Sequence, residues 1–433
     1  MFAAPLLLAA VGLLPADSPA TDAPAEKIES ARWPRFRGPN GEGIAAGVFP
    51  DSFTPDDFAW AAPLLGTGVS SPVVWGDAVF VTSADGPRRW LIRLDAATGA
   101  IRWTRQAEIN PDGPPADPSL HARNDPAAAT PAVDENRVFT LFSDGARTVL
   151  TAFDHAGERL WQREIGSFEG EHGHGASPIR VDLPADEAAA AGGAKELVVL
   201  AHDQNGAGAV LAFDAATGEP VWNVERSSDK AAYAAPTVLS RPGEPLTLIT
   251  ASGGVGLAAL DAATGAERWS SGPLPARVVA SPVVVGDRAW ALCGSGGAGK
   301  LLVGVNLQTG AVEVQRTRSL PYVPTPAAAD GLLFLWSDRG VVTALDTETG
   351  QVEWAQRIGG NFGASPIVVG DKLVGVSMDG VVTVLDASDE FRLRGRSPLG
   401  ADTQSTPAIA GGRAYFRLDD RLVCLPLKPA GAE

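Results

Sequence analysis

The 433-residue sequence predicts an all-β fold: a single eight-bladed β-propeller of four-stranded antiparallel blades, closed by the N-terminal strand. Three observations predict it. A small residue and a proline open a run of branched apolar residues eight times, at Ser71-Pro72, Thr130-Pro131, Ser177-Pro178, Ala235-Pro236, Ser281-Pro282, Thr325-Pro326, Ser365-Pro366 and Thr406-Pro407. Subtracting consecutive proline positions gives spacings of 59, 47, 58, 46, 44, 40 and 41 residues. Periods of about 40 to 45 residues holding four strands each mark propeller blades rather than helical solenoids, and the longer spacings are blades with insertions. Lastly, a polar turn and a Trp-bearing strand recur at one place in the unit.

Taken in chain order, residues 1–20 read as a secretory signal peptide. Met1 to Ala16 is apolar and rich in Leu and Ala, and Ser18-Pro19-Ala20 offers small residues for cleavage, although no Lys or Arg precedes the apolar run. The Leu6–Leu14 stretch is too short to span a bilayer. Residues 21–54 form a leader expected to pack on the ring through Trp33, Phe36 and Arg37, with Arg35 to Asn40 as an alternative docking strip. The propeller occupies residues 55–427, and residues 428–433 are a tail.

Within each blade the turn before the fourth strand has a mechanism. In Asp95–Gly99, Asp214–Gly218, Asp261–Gly265 and Asp346–Gly350 the carboxylate accepts backbone N–H groups further along, and Gly takes the positive φ that closes the hairpin. Asn306–Gly310 keeps that chemistry with an amide, and Asp154–Gly157 is one residue shorter. The strand beyond ends in Trp103, Trp161, Trp222, Trp269 or Trp354, with Val314 and Leu393 in two weaker copies. Large flat side chains at one register suit burial between neighbouring sheets. The last copy, from Thr406 to Leu427, has only three strands, whereas Phe58-Ala59-Trp60 is a Trp strand without a blade; the two are expected to pair and so leave no free edge.

Composition excludes some functions. With 51 acidic and 35 basic residues the net charge is −16, which repels nucleic-acid phosphates, and no basic run overrides it. Cys293 and Cys424 fall in blades too far apart to bridge and read as two buried thiols. The apolar runs of the ring are of strand length, so no transmembrane segment is expected.

These repeats resemble the PQQ-like β-propeller proteins, which include the outer-membrane assembly factor BamB and the quinoprotein alcohol dehydrogenases. The opening Trp33-Pro34-Arg35-Phe36-Arg37-Gly38-Pro39-Asn40-Gly41 is similar to the leader of secreted planctomycete-type members, as is the blade start Gly173-His174-Gly175-Ala176-Ser177-Pro178. Resemblance to the dehydrogenases would imply an adjacent Cys-Cys disulfide, a calcium held by Glu, Asn and Asp, and often a Cys-x-x-Cys-His haem site; this chain has neither cysteine motif. Resemblance to BamB implies a periplasmic scaffold tethered by an N-terminal lipidated cysteine, which this sequence also lacks. One fold hosts many functions, so activity must be argued from the site.

Chemistry is expected on the face where inter-blade linkers and second-to-third-strand hairpins emerge together. The linkers Thr104–Ala129 and Gln162–Ala176 and the hairpin Asp203–Gly206 bring His121, Arg123, Asn124, Asp125, Glu171, His172, His174 and Asp203 over blades 2 and 3. His172 and His174 are one residue apart, so in an extended segment both rings share a side and, with Asp203 or Glu171, would hold a divalent metal. The alternative is that the imidazoles hydrogen-bond loop carbonyls. Arg123, Asn124 and Asp125 read either as anion or substrate contacts or as loop pins. Tyr233, Tyr322, Asn361 and Gln404 enter the axis ahead of inner strands and would line the channel mouth, either to bind a peptide or glycan or equally to plug the axis with side chains and water. No Ser-His-Asp order, phosphate loop or catalytic carboxylate pair is present in the pattern. The resulting expectation is an exported, non-catalytic, monomeric binding or scaffold protein of the BamB type, periplasmic or secreted. It would bind a protein or peptide of the cell envelope through His121, Arg123, Asn124, His172, His174, Asp203, Tyr233 and Gln404, with no cofactor. The competing expectation is a quinone- or metal-dependent oxidoreductase, with PQQ and Ca on the same face.

Overall fold

Eight antiparallel sheets follow one another along the chain in a computed structural model that describes residues 31–110 and 125–428. The expected signal peptide lies outside the described residues, as do His121, Arg123 and Asn124. Each blade starts at its proline anchor with a short strand near the axis, from Val73–Trp75 in blade 1 to Ala408–Ala410 in blade 8. These first strands neighbour one another across most junctions of the ring. The second strands are near-continuous apolar runs buried on both faces, such as Leu332–Trp336, and their Val, Leu, Ile and Ala side chains interdigitate where two twisted sheets meet. Trp60–Pro63 closes the ring as expected: Trp60 pairs with Cys424 and Pro63 with Arg421. Both cysteines are buried and free.

The recurrent turn works as its residues require. Asp95 Oδ1 accepts the N–H groups of Ala97 and Thr98 at 3.1 and 2.9 Å, and Asp214, Asp261 and Asn306 repeat the pair. The closing Gly has a second reason to lack a side chain. A Cβ on Gly218 would sit 2.6 Å from the ring of Trp161 in the preceding blade, and Gly99, Gly157, Gly265 and Gly310 meet Trp60, Trp103, Trp222 and Trp269 in the same way. Each indole then donates Nε1–H across the junction: Trp103 to His155 O, Trp161 to Ala215 O, Trp222 to Ala262 O, Trp269 to Leu307 O and Trp354 to Ser388 O, at 2.7 to 3.1 Å. Turn and Trp are thus two halves of one inter-blade joint, in which burial and a satisfied indole act together.

The small-residue–Pro anchor is a second joint, nearer the axis. The backbone N–H of Ser71 donates to Thr130 Oγ1, Thr130 to Ser177 Oγ, Ala235 to Ser281 Oγ, Ser281 to Thr325 Oγ1, Thr325 to Ser365 Oγ and Ser365 to Thr406 Oγ1, at 2.9 to 3.0 Å. The hydroxyl of one blade therefore caps the chain of the one before, forming a belt around the ring. Ser405 Oγ completes it at the closing junction by donating to Val69 O and Ser70 O. Ala235 interrupts the belt, because it offers no hydroxyl to Ser177.

The leader does more than pack on the ring. Arg32–Trp33 adds a strand to the inner edge of blade 1, and Ile44–Ala45 adds a parallel one to blade 7, so the segment between them turns inside the axis. Val133 N–H donates to Pro34 O, and Arg35 Nη2 donates to Pro236 O at 2.6 Å. Arg37, fully buried, donates to Thr325 O, Pro326 O and Pro366 O. Burial brings both guanidiniums down to about 9. The docking-strip alternative for Arg35 to Asn40 does not suit these two arginines, since both are buried in the ring, Arg35 donating Nη2–H to a carbonyl of blade 4 and Arg37 donating to carbonyls of blades 6 and 7. The Pro184–Ala194 insertion is a series of turns on the opposite face, tied down by Glu187 Oε1 accepting Leu246 N–H.

Candidate functional site

On the linker face a cavity of about 610 Å³ opens at the axis, lined by residues from five linkers and one hairpin. Its floor comes from a single register of the repeat. Ala128, Gly175, Tyr233, Val279 and Val323 each stand two residues before an anchor, as do Gly363 and Gln404 on the far side of the ring. Glu171, His172, Lys230, Arg277 and Tyr322 stand further back in the same linkers and form the walls, with the Ser295–Gly297 hairpin of blade 5 opposite.

The walls are held in place by backbone that lacks side chains where rings must lie. A Cβ on Gly294 would meet the Tyr322 ring at 2.5 Å, and one on Gly175 would meet Tyr233 at 3.3 Å. Arg277 is fixed by its own backbone, whose carbonyl accepts Gly294 N–H at 2.9 Å. Its buried guanidinium lies 6.0 Å from the Tyr233 ring centre and donates Nη2–H to Glu171 at 3.0 Å, while Nε has no partner. The Arg277 hydrogen bond holds the Glu171 carboxyl below its usual range. Burial pushes the Tyr233 phenol up to about 12 and raises Tyr322 as well. Both tyrosines therefore stay neutral across the physiological range.

The expected histidine cluster is rearranged. Gly173 takes φ +67°, so the segment is not extended and the two rings part company. His172 meets Tyr233 at 6.2 Å at the cavity wall, whereas His174 is buried, 4.6 Å from Phe168 and stacked 5.2 Å from His202. Burial pushes His174 well below its usual value and lowers His202, whose Nε2 lies 3.1 Å from Ser167 O. Asp203 is engaged elsewhere: its two oxygens accept Nε and Nη2 of Arg226 at 2.6 and 2.5 Å. Burial raises the Asp203 carboxyl and the arginine fork pulls against that rise. Among the described residues no three His, Cys, Asp or Glu side chains are grouped to hold a metal ion. Asp125 pins its own loop by accepting Ala127 N–H and Thr67 Oγ1–H. Gln404 lies against Gly363 at the junction of blades 7 and 8, away from His172.

A calcium-bound quinone does not fit this lining. Calcium takes six to eight oxygen ligands, and the described wall offers one carboxylate, Glu171, already bonded to Arg277. Sequence reasoning named Glu171, His172, Tyr233 and Tyr322 but passed over Arg277 and Lys230. The signal was available: the residues two to five positions ahead of each anchor are where linkers turn into the axis, and Arg277 stands four before Ser281.

Comparison with known proteins places this architecture. The family model described as outer membrane protein assembly factor BamB matches residues 56–172, 147–323 and 319–428. BamB of Yersinia pestis is 27% identical over 202 residues, which is 42% of this chain and 49% of that protein. The chain thus spans about half the length of the curated relative it matches. Among solved structures, BamB from Moraxella catarrhalis superposes with a TM-score of 0.58 at 17% identity, covering 86% of this chain and 99% of the other. A europium-containing methanol dehydrogenase superposes with a TM-score of 0.67 at 12% identity, covering 92% of each chain. At these identities the likeness of the solved structures is one of fold.

Proposed function

The chain belongs to the family of the outer membrane protein assembly factor BamB, and from that premise we propose that it is an exported, non-catalytic scaffold that binds a protein partner of the cell envelope through its linker face. One observation carries the reading. Two of the face's ion pairs set loops in place, Asp203 on Arg226 and Glu171 on Arg277, around a recess walled by Tyr233, Tyr322 and glycines with His172, Lys230 and Ser295 among them. A site that turns over substrate needs proton-transfer or nucleophilic groups within reach of a reacting atom. This face instead presents a rigid, shaped surface on a ring that is tied together by two belts. Among the described residues no helix is long and apolar enough to cross a membrane, which agrees with a protein that meets the membrane through a partner.

Photo-crosslinking residues placed at Lys230 and Ser295 on the linker face, and at Glu348 on the turn face, test it in cells of the source organism. Crosslinks from Lys230 or Ser295, but not from Glu348, to a component of outer-membrane protein assembly are expected. Crosslinks from the turn face alone, or reduction of a dye by purified protein supplied with quinone and calcium, would overturn the proposal.

A further inference from the structure

The recess at the axis has features of its own that do not depend on a protein sitting on the face around it. Its volume of about 610 Å³ falls within the range of pockets that enclose drug-sized molecules. Two features of the lining select a chemical class. Arg277 and Lys230 line the recess from the linkers that follow blades 4 and 3, and Glu171 is the one carboxylate in the lining, so the recess carries a net positive charge inside a chain of net charge −16. Arg277 is the stronger of the two anchors, because its side chain is only 7% exposed and its buried Nε lacks an acceptor. A buried, unmet donor on a charged group is costly, and a ligand oxygen would satisfy it. Beside these cations stand the neutral phenols of Tyr233 and Tyr322, with acceptors and donors mixed around them: the Glu171 carboxylate, the His172 ring and the Ser295 hydroxyl. A purely aromatic acid has no use for so many polar partners. A hydroxylated ring that also bears a carboxylate uses all of them.

We propose that this recess binds a carboxylated sugar residue, its carboxylate on Arg277 and Lys230 and its ring against Tyr233 and Tyr322. The sugar is either free or the end of an acidic glycan; the recognised chemistry is the same.

Isothermal titration of the purified protein with glucuronate, a glucuronate-terminated oligosaccharide, glucose and benzoate tests the assignment and separates the two sources. Glucuronate or the oligosaccharide is expected to bind, with glucose at least about tenfold weaker because the charge-assisted bonds are missing. Arg277→Gln is expected to weaken binding by about tenfold or more, and Lys230→Gln, which is exposed and neutral to folding, by a few-fold. Thermal unfolding of each variant confirms that the ring is intact, and should Arg277→Gln fail to fold, the Lys230→Gln comparison decides. Equal binding of glucose, binding of benzoate but not of the sugars, no heat from any of them at millimolar concentration, or uronate binding unmoved by Lys230→Gln in the absence of a folded Arg277 variant would each overturn the proposal. The crosslinking test shares Lys230 and Ser295 with the recess but reads covalent capture of a protein, so a failure of sugar binding leaves its expected result unchanged.

Discussion

Blades 5 to 8 and blades 2 to 4 obey the same local rules and put them to different use. In the later blades, anchors 44, 40 and 41 residues apart leave linkers with little to spare, and the hydroxyl belt runs unbroken from Ser281 to Thr406. In the earlier ones the spacings reach 47 and 58 residues; the extra length of blade 3 is the Pro184–Ala194 excursion on the opposite face, while Glu171, His172 and Lys230 reach the recess from the linkers that follow blades 2 and 3. The belt is broken there, at Ala235. Stability and recognition are therefore weighted differently by region. The uniform blades keep the belt whole and add Tyr322 and the Ser295–Gly297 hairpin to one wall of the recess, whereas the uneven ones carry the break at Ala235 beside the wall formed by Glu171, His172 and Lys230.

The most severe way to disturb the uneven side is to strand its buried ion pair. Arg226→Met leaves the Asp203 carboxylate, 3% exposed as a side chain, without a partner. Breaking a buried pair from one side is expected to destabilise by about 3–5 kcal/mol, read as a shift of the chemical-denaturation midpoint. Asp203→Leu combined with Arg226→Met should recover most of that loss. If the double variant instead stays as unstable as the single one, the pair contributes more than charge compensation.

On the uniform joint, glycine substitutions separate backbone strain from ring contact. Gly218→Ala forces a side chain into positive φ and into the Trp161 ring 2.6 Å away, with an expected cost of about 2–4 kcal/mol. Gly286→Ala has φ +58° but open space around its Cβ, so only strain remains, about 1–2 kcal/mol. Equal losses at both positions would show that the Trp–Gly contact adds nothing to the joint.

Acid acts on the uneven side first. Burial lowers the folded-state values of His174 and His202 from the ordinary 6.5. The unfolded chain then takes up protons as pH drops through 6.5 while the folded one does not. Stability is full above that value and declines below it, by up to about 1.4 kcal/mol per pH unit for each histidine, until the folded-state values are reached. Burial lowers His155 of blade 2 as well, so His174→Phe removes one of three such titrations and keeps a ring against Phe168. Its denaturation midpoint should fall less between pH 7 and pH 5 than that of the parent protein, and an unchanged slope would assign the acid sensitivity to other groups.

The ring was legible in the residues because it is built from local chemistry repeated in register. Asp-x-x-x-Gly dictates the same hairpin wherever it stands, Trp103, Trp161, Trp222, Trp269 and Trp354 occupy one position, and the unpaired Trp60 strand had only the incomplete last blade to complete. The site was less so. Arg277 and Lys230 belong to no repeat, and their approach to Glu171 and Tyr322 exists only after the ring has closed. The leader was legible in part: Trp33, Phe36 and Arg37 read as packing residues, but that Arg37 and Arg35 would enter the axis and donate to the inner-strand carbonyls of Pro326, Pro366 and Pro236 depends on the closed ring. The histidine pair misled for a local reason, since a glycine between two histidines permits the positive φ that drives their rings apart.

The smallest expected effect is also the most direct test of the division between regions. Ala235→Ser restores the missing hydroxyl at the one anchor that lacks it, at a buried site where Ser177 N–H faces the position that Thr130, Ser281, Thr325, Ser365 and Thr406 fill at the equivalent junctions. A hydrogen bond of this kind is expected to add about 1 kcal/mol to the stability of the ring. If the belt was given up so that Tyr233, two residues upstream, can turn into the recess, the gain in stability comes with weaker ligand binding, because the anchor is drawn back toward Ser177 and its linker follows. Stabilisation with unchanged binding would mean that the break at Ala235 and the recess are neighbours without being coupled.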